Sequence, residues 1–253
     1  MAGGEGERFV PYTLKYSCMC HQGRIRSTNQ DNLAYEGICL PMEHDSMEKP
    51  VYGTARPECS PVFAIFDGMG GEERGEAASY LAADLMKDWP MEDGETALET
   101  FCLESNHEIC RFAATNMLGT CGTTAAILSF SEQKVLGCNI GDSRIYRIRG
   151  DAMEQLSEDH VFDMGPGRKP PLLQFLGLPE EETRISPQIF TEEPVAGDRY
   201  LICSDGITDM IREAEILKII QETPWEEAAD RLLSQALTAG GRDNITFFLV
   251  QIL

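Results

Sequence analysis

An α+β architecture, with antiparallel sheets carrying helices on their outer faces, is predicted by three observations. Apolar strand-like runs fall in clusters instead of alternating strictly with helices. Two long helical patterns separate the early strands from a central meander, and a second helical pair precedes the last strand. The connections Ser131-Glu132-Gln133-Lys134 and Arg149-Gly150-Asp151 are short enough to join sequential antiparallel strands. A doubly wound parallel sheet would need strict βαβ order, which this chain lacks.

Period-2 or continuous apolar runs predict strands at 13–20, 32–39, 62–66, 123–130, 135–140, 144–148, 199–203 and 245–253. The first helix, 72–88, places Ala77, Ala78, Leu81, Ala82, Leu85 and Met86 on one face. The second runs over 97–116. Helices at 213–221 and 225–239 follow, with Thr223-Pro224 reading as a cap before proline at the first helical position. Residues 1–12, rich in Gly and Glu at their start, read as a flexible N-terminus before a single domain over 13–253. Four prolines make 41–61 an exposed surface loop, and Gly-Pro-Gly-Arg-Lys-Pro-Pro makes 162–194 a flap-like segment.

At 253 residues and 42% hydrophobic content the chain can build a substantial core. Its formal net charge of −21 repels phosphate backbones, which argues against nucleic acid as a partner. Nine cysteines, an odd number with no Cys-x-x-Cys pair, sit largely in apolar runs and predict a reduced, cytoplasmic protein without disulfides. No stretch has the length of a membrane span or the apolar core of a signal peptide.

Four aspartates stand in turn-like settings, three of them beside predicted strands. Asp67 and Asp205 each follow an apolar run and precede glycine; Asp142 lies in Gly-Asp-Ser-Arg, and Asp243 in Gly-Gly-Arg-Asp-Asn. An apolar strand followed by Asp-Gly holds a carboxylate rigidly at a sheet edge with no bulky neighbour. Spread from residue 67 to residue 243, such groups converge only in a folded site, and hard oxygen donors at one point suit Mg²⁺ or Mn²⁺. Taken singly, each has an ordinary explanation: Asp67 a strand-to-helix turn, Asp205 a helix cap, Asp142 and Asp243 turn formers, Arg26 a solvated hairpin arginine.

The order and spacing of the motifs identify a resemblance. Arg26-x-x-Asn29-x-Asp31, Asp67-Gly68-Met69-Gly70-Gly71, Gly122-Thr123-Thr124, Gly141-Asp142-Ser143-Arg144, Leu156-Ser157-x-Asp159-His160, Gly197-Asp198, Ser204-Asp205-Gly206 and Asp243-Asn244 together resemble the metal-dependent protein serine/threonine phosphatases of the protein phosphatase 2C type, in particular the compact bacterial members. The likeness covers about 14–253. It implies a four-layer α-β-β-α sandwich with two central antiparallel sheets. It also implies two Mn²⁺ or Mg²⁺ ions: Asp67 bridging them, the Gly68 carbonyl on one, Asp205 and Asp243 completing the other, and Asp142 with Asp205 holding a third, weaker ion. Asp31 would orient water from behind the ligands, and Arg26 would hold the phosphate; Gln30 and Asn244 would support the ligands.

Two divalent ions, three carboxylates and one bridging hydroxide make a neutral core. Such ions acidify bound water strongly, so the resemblance implies hydrolysis by a metal-bridging hydroxide without a phosphoenzyme. The chain departs from the family pattern twice. Gln30 stands where many members have Glu, so a Gln30→Glu change is expected to tighten Mn²⁺. Met69 stands where eukaryotic members have a histidine proposed as general acid; a thioether has no proton to give, which favours aryl over alkyl phosphates. The four histidines are scattered, and His160 reads as structural.

The implied activity is phosphoserine/phosphothreonine hydrolysis in proteins, by a cytoplasmic monomer that opposes a kinase. The rival is a scaffold or regulatory binding module of the same fold; such proteins lose metal aspartates, and here all three remain. A dedicated anti-sigma antagonist phosphatase is a third reading, weakened by the absence of a fused sensor domain.

Overall fold

The computed structural model describes residues 12–69, 74–91, 94–119, 121–162, 165, 170–179 and 183–253. In chain order the strands are β1 (Leu14–His21), β2 (Asp31–Tyr35), β3 (Ile38–Cys39), β4 (Val51–Ala55), β5 (Val62–Met69), β6 (Gly122–Thr123), β7 (Ala125–Phe130), β8 (Val135–Ile140), β9 (Arg144–Arg149), β10 (Ala152–Gln155), β11 (Gln188–Glu192), β12 (Arg199–Cys203) and β13 (Ile245–Ile252). The helices are α1 (Gly75–Met86), α2 (Glu95–Thr115), the single turn α3 (Asp205–Thr208), α4 (Glu213–Glu222) and α5 (Trp225–Thr238).

Two antiparallel sheets result. One has the order β10-β9-β12-β13-β1-β4; the other has β11-β8-β7-β5-β2-β3, with β6 pairing onto the end of β5. Strand periodicity sorts side chains into three apolar layers. In β13, Phe248, Val250 and Ile252 face the layer between the sheets, while Ile245, Phe247 and Leu249 face α4 and α5. In β5, Phe63 and Ile65 join the central layer, whereas Ala64 and Phe66 meet α1 and α2. Burial on both faces explains why these strands read as continuous apolar runs. The order of layers is helix, sheet, sheet, helix, as the resemblance implied.

The structure amends several boundaries. Tyr12 is buried and its hydroxyl donates to the Ser131 carbonyl at 2.5 Å, so it is packed instead of belonging to a flexible N-terminus; 1–11 lie outside the described residues. The expected loop 41–61 contains edge strand β4, paired with β1 from Leu14↔Ala55 to Cys18↔Val51. Flanking prolines mask this strand in the sequence. Gly53 within it is required, because a Cβ there would lie 2.3 Å from the Tyr16 ring. The expected strand 32–39 is a hairpin, β2 and β3, turning through Glu36 and Gly37 at positive φ.

The expected flap 162–194 likewise contains β11, which pairs with β8. Leu176 is buried and exchanges both backbone hydrogen bonds with Thr123 at 2.9 Å. The Asn106 side chain fastens the Gly177 N–H at 2.7 Å and the Leu178 carbonyl at 3.1 Å. The part of this segment at 175–178 is therefore anchored, while Arg168 and Lys169 lie outside the described residues. Pro224 takes the cap position before α5, where proline at the first helical position was expected. All nine cysteines are free thiols.

Candidate metal centre

Strand register gathers the predicted acids at one end of the sandwich. Asp31 opens β2 directly opposite Asp67 near the end of β5. In the other sheet Cys203, the last residue of β12, sits between Arg144 and Phe247. That pairing brings the Asp142 turn, the Asp205 helix start and the Asp243 loop to the same end. Antiparallel geometry is the reason: the start of one strand lies beside the end of its neighbour.

Asp67 is set by its backbone. Its N–H donates to Thr124 Oγ1 at 3.1 Å, and the Thr124 N–H donates back to its carbonyl at 2.9 Å. The Thr124 and Ser143 hydroxyls lie 2.7 Å apart, so one threonine ties Asp67 to the turn that carries Asp142. Gly68 N–H donates to the Gln30 carbonyl at 3.0 Å. A Cβ on Gly68 would stand 2.3 Å from the Gly75 carbonyl oxygen and 2.4 Å from that of Gln30, so only glycine fits between β2 and the start of α1. Gly70 and Gly71 of the motif lie outside the described residues.

Asp205 is the first residue of α3 and is 5% exposed. A Cβ on Gly206 would fall 1.8 Å from the Asn244 carbonyl oxygen, so the Ser-Asp-Gly motif owes its glycine to this crossing of α3 over the Asp243 loop. Ser204, which sequence reasoning left without a role, is fully buried; its hydroxyl donates to Asp31 Oδ2 at 2.9 Å and accepts the Thr246 N–H at 3.0 Å.

Arg26 donates to Asp243 Oδ2 at 2.6 Å from an exposed loop. Asn244 is the staple of that loop. Its Nδ2 donates to the Gln22 carbonyl at 2.8 Å and the Thr28 carbonyl at 3.0 Å, while its Oδ1 accepts the Gln30 N–H at 2.9 Å. One buried side chain thus binds both ends of the segment holding Arg26. Asn29 is also buried and donates to Cys20 Sγ at 3.2 Å.

The electrostatics follow from burial and crowding. Burial, then the charges of Asp31, Asp205, Asp142 and Asp243, push the Asp67 carboxyl well above the usual carboxylate range. Burial raises Asp31 to about 6, opposed by hydrogen bonds from Thr246 and Ser204. The hydrogen bond to Asp243 raises Arg26, whose charge also acts on Asp67 and Asp205. Four carboxylates therefore act on that of Asp67, with the Arg26 guanidinium beside them. Such an excess of negative oxygen donors fits hard divalent cations by charge and donor type. Among the described residues, no three His, Cys, Asp or Glu side chains close onto a shared ion position.

Other motif residues are structural. Asp159 grips Arg144 through Nε at 3.0 Å and Nη2 at 2.6 Å, and Asp198 grips Arg149 at 2.8 and 2.6 Å. His160 Nδ1 accepts the Gly141 N–H at 3.2 Å, and burial lowers its pKa, so it serves the Asp142 turn as a neutral acceptor. Glu76, missed in the sequence, sits on the first turn of α1 with Oε2 3.2 Å from Gln30 Nε2 and Oε1 2.8 Å from Arg74 Nε. Gln30→Glu would replace that donor with a like charge. The Gln30→Glu/Glu76→Gln double variant is therefore expected to bind Mn²⁺ more tightly than Gln30→Glu alone, by titration calorimetry; equal affinities would take Glu76 out of the account.

Comparisons with known proteins bear on the family and the fold. The family model described as Protein phosphatase 2C matches residues 52–248. The chain is 33% identical over 254 residues to the serine/threonine phosphatase stp of Listeria innocua, covering 91% of this chain and 92% of the relative. It is 30% identical over 263 residues to the serine/threonine protein phosphatase PstP of Mycobacterium tuberculosis, covering 96% of this chain and 46% of that protein. Among solved structures, the catalytic domain of PstP in complex with two manganese ions superposes with a TM-score of 0.74 at 28% identity, over 96% of this chain and 99% of that one. A Pseudomonas aeruginosa protein, PppA, shares the fold with a TM-score of 0.78 at 23% identity, over 95% and 98%. The family model over 52–248, the Listeria relative matched over 92% of its length and the four-layer architecture agree: the chain belongs to the protein phosphatase 2C family of metal-dependent serine/threonine phosphatases.

Proposed function

We propose that this chain hydrolyses phosphoserine and phosphothreonine in proteins with two Mn²⁺ or Mg²⁺ ions, by direct attack of hydroxide and without a phosphoenzyme. The observation that carries the reading is the convergence of carboxylate charge on Asp67 beside an arginine held by Asp243. Asp67, the Gly68 carbonyl, Asp205 and Asp243 would hold the two ions, and Asp142 with Asp205 a third, weaker one. Ions held there would acidify bound water and offset charge on phosphoryl oxygens.

The chain's own groups do the rest. Arg26 presents N–H donors to the phosphoryl oxygens, and its hydrogen bond to Asp243 holds it in register before substrate arrives. Asp31, buried and hydrogen-bonded by Ser204, would orient a water from behind the ligands. Met69, half-buried at the end of β5, offers no proton to the leaving group. The cellular setting follows as part of the same reading: a cytoplasmic monomer acting on phosphoproteins made by a kinase. No helix among the described residues is long and apolar enough to cross a membrane.

The test is hydrolysis of p-nitrophenyl phosphate and a phosphothreonine peptide with Mn²⁺, Mg²⁺ or excess EDTA. Phosphate release is expected with either ion, faster from the aryl ester, and loss of at least about a hundredfold with EDTA. Release that is indifferent to EDTA would refute the reading.

A further inference from the structure

Next to the candidate centre lies a basic rim that the proposed chemistry does not use. The 22–30 loop and the 240–244 loop are knitted together: the Arg24 N–H donates to the Gly241 carbonyl at 2.7 Å, and a Cβ on Gly241 would sit 3.2 Å from Arg24 Cγ. Gly241 has φ of 52°, so glycine is needed for both conformation and contact. Arg24, Arg26 and Arg242 are all exposed on this rim, and Ile25 between the first two is 71% exposed. Arg26 is paired with Asp243, whereas Arg24 and Arg242 form no ion pair among the described residues.

Two features make this more than scattered surface charge. The chain carries 42 acidic against 21 Lys and Arg residues, so three arginines in two adjoining loops stand against the general sign of the molecule. The rim is also pre-ordered. Gln22 Nε2 donates to the Arg26 carbonyl at 2.8 Å, and Asn244 fastens the Gln22 and Thr28 carbonyls, so little backbone freedom remains to be lost on binding. A peptide whose phosphate reaches Arg26 has Arg24 and Ile25 beside it on the same loop and Arg242 on the loop bonded to it.

We infer that Arg24 and Arg242 form a specificity rim selecting phosphorylated segments with Asp or Glu within a few residues of the phosphoresidue. The inference rests on the phosphatase reading above. Acidic flanks gain Coulomb attraction at an otherwise repellent surface, and this acts chiefly on capture, hence on KM. The planar guanidinium forks of arginine suit carboxylates better than lysine ammonium groups would.

The experiment compares kcat/KM for phosphothreonine peptides of equal length, flanked by Glu or by Lys, with p-nitrophenyl phosphate as a substrate too small to span the rim. Wild type is expected to prefer the Glu-flanked peptide about tenfold at low salt, through KM, with the preference shrinking at high salt. In R24E/R242E the preference reverses while the rate on p-nitrophenyl phosphate stays within about twofold. If that variant does not fold, R24Q/R242Q replaces it and must erase the preference. Equal kcat/KM for the two peptides in wild type, or a Glu preference that survives the double substitution, overturns the inference with the phosphatase reading intact. Failure of wild type to release phosphate from p-nitrophenyl phosphate with any divalent ion overturns that reading, and the inference with it.

Discussion

Asp67→Asn is expected to make the metal-free protein more stable while removing its activity. In the folded chain burial raises the carboxyls of Asp67 and Asp31, the latter to about 6 against an ordinary 3.8. Each binds its proton more tightly folded than unfolded, so metal-free stability falls as pH rises from about 4 through the raised values. An uncharged amide at residue 67 removes part of that penalty, about 1 kcal/mol, or about 3 °C in Tm for a domain of this size. Manganese acts in the opposite sense on wild type. At a hundredfold excess over its Kd it stabilises by about 2.7 kcal/mol, or about 8 °C, and Asp67→Asn should lose most of that increment. Activity should fall about a thousandfold, since losing several kcal/mol of charge stabilisation in the transition state costs a factor of ten per 1.4 kcal/mol. Differential scanning calorimetry with and without Mn²⁺, beside p-nitrophenyl phosphate hydrolysis, reads all three effects. A variant stabilised by manganese as strongly as wild type would remove Asp67 from the proposed centre.

Gly206→Ala is expected to damage stability and activity together. The added methyl would lie 1.8 Å from the Asn244 carbonyl oxygen, a backbone atom held between β13 and the stapled loop. No side-chain rotation relieves a clash of backbone with Cβ, so α3 or the 240–244 loop must shift. Overpacking of this kind costs about 3 kcal/mol, a fall of about 9 °C in Tm. Displacement also separates Asp205 on α3 from Asp243 and Asn244 on the loop, so Mn²⁺ affinity should drop at temperatures where the variant remains folded. Gly197→Ala is the matched control: its φ of 90° is strained for alanine, but no atom lies within 4 Å of the added methyl, and it stands away from the acids. A Gly206→Ala protein with wild-type Tm and manganese titration would show that this crossing does not hold the centre together.

The motifs spoke to position more clearly than to role. Gly197-Asp198 and Leu156-Ser157-x-Asp159-His160 match the family pattern as strongly as Asp67-Gly68 does, yet Asp198 and Asp159 spend their carboxylates on Arg149 and Arg144. A sequence shows that an aspartate follows a strand or turn; it does not show whether an arginine stands across from it on a neighbouring strand. The roles of Ser204, Thr124 and Glu76 were invisible for the same reason. Their partners lie 173, 57 and 46 residues away in the chain.

What this sequence determined by itself was whatever repeats at short range. Continuous apolar runs in β5, β12 and β13 dictate burial on both faces, the stripe of α1 dictates its docking, and apolar runs ending in Asp-Gly dictate carboxylates at strand ends. Edge strands β4 and β11 escaped notice, because a strand paired on one side needs little apolar periodicity and takes its order from its neighbour. Tertiary structure alone decided which acids face one another, which arginine each meets, and how Asn244 fastens the loop of Arg26. Those are pairings between distant segments, and they exist only once register and crossing angle have placed the backbones.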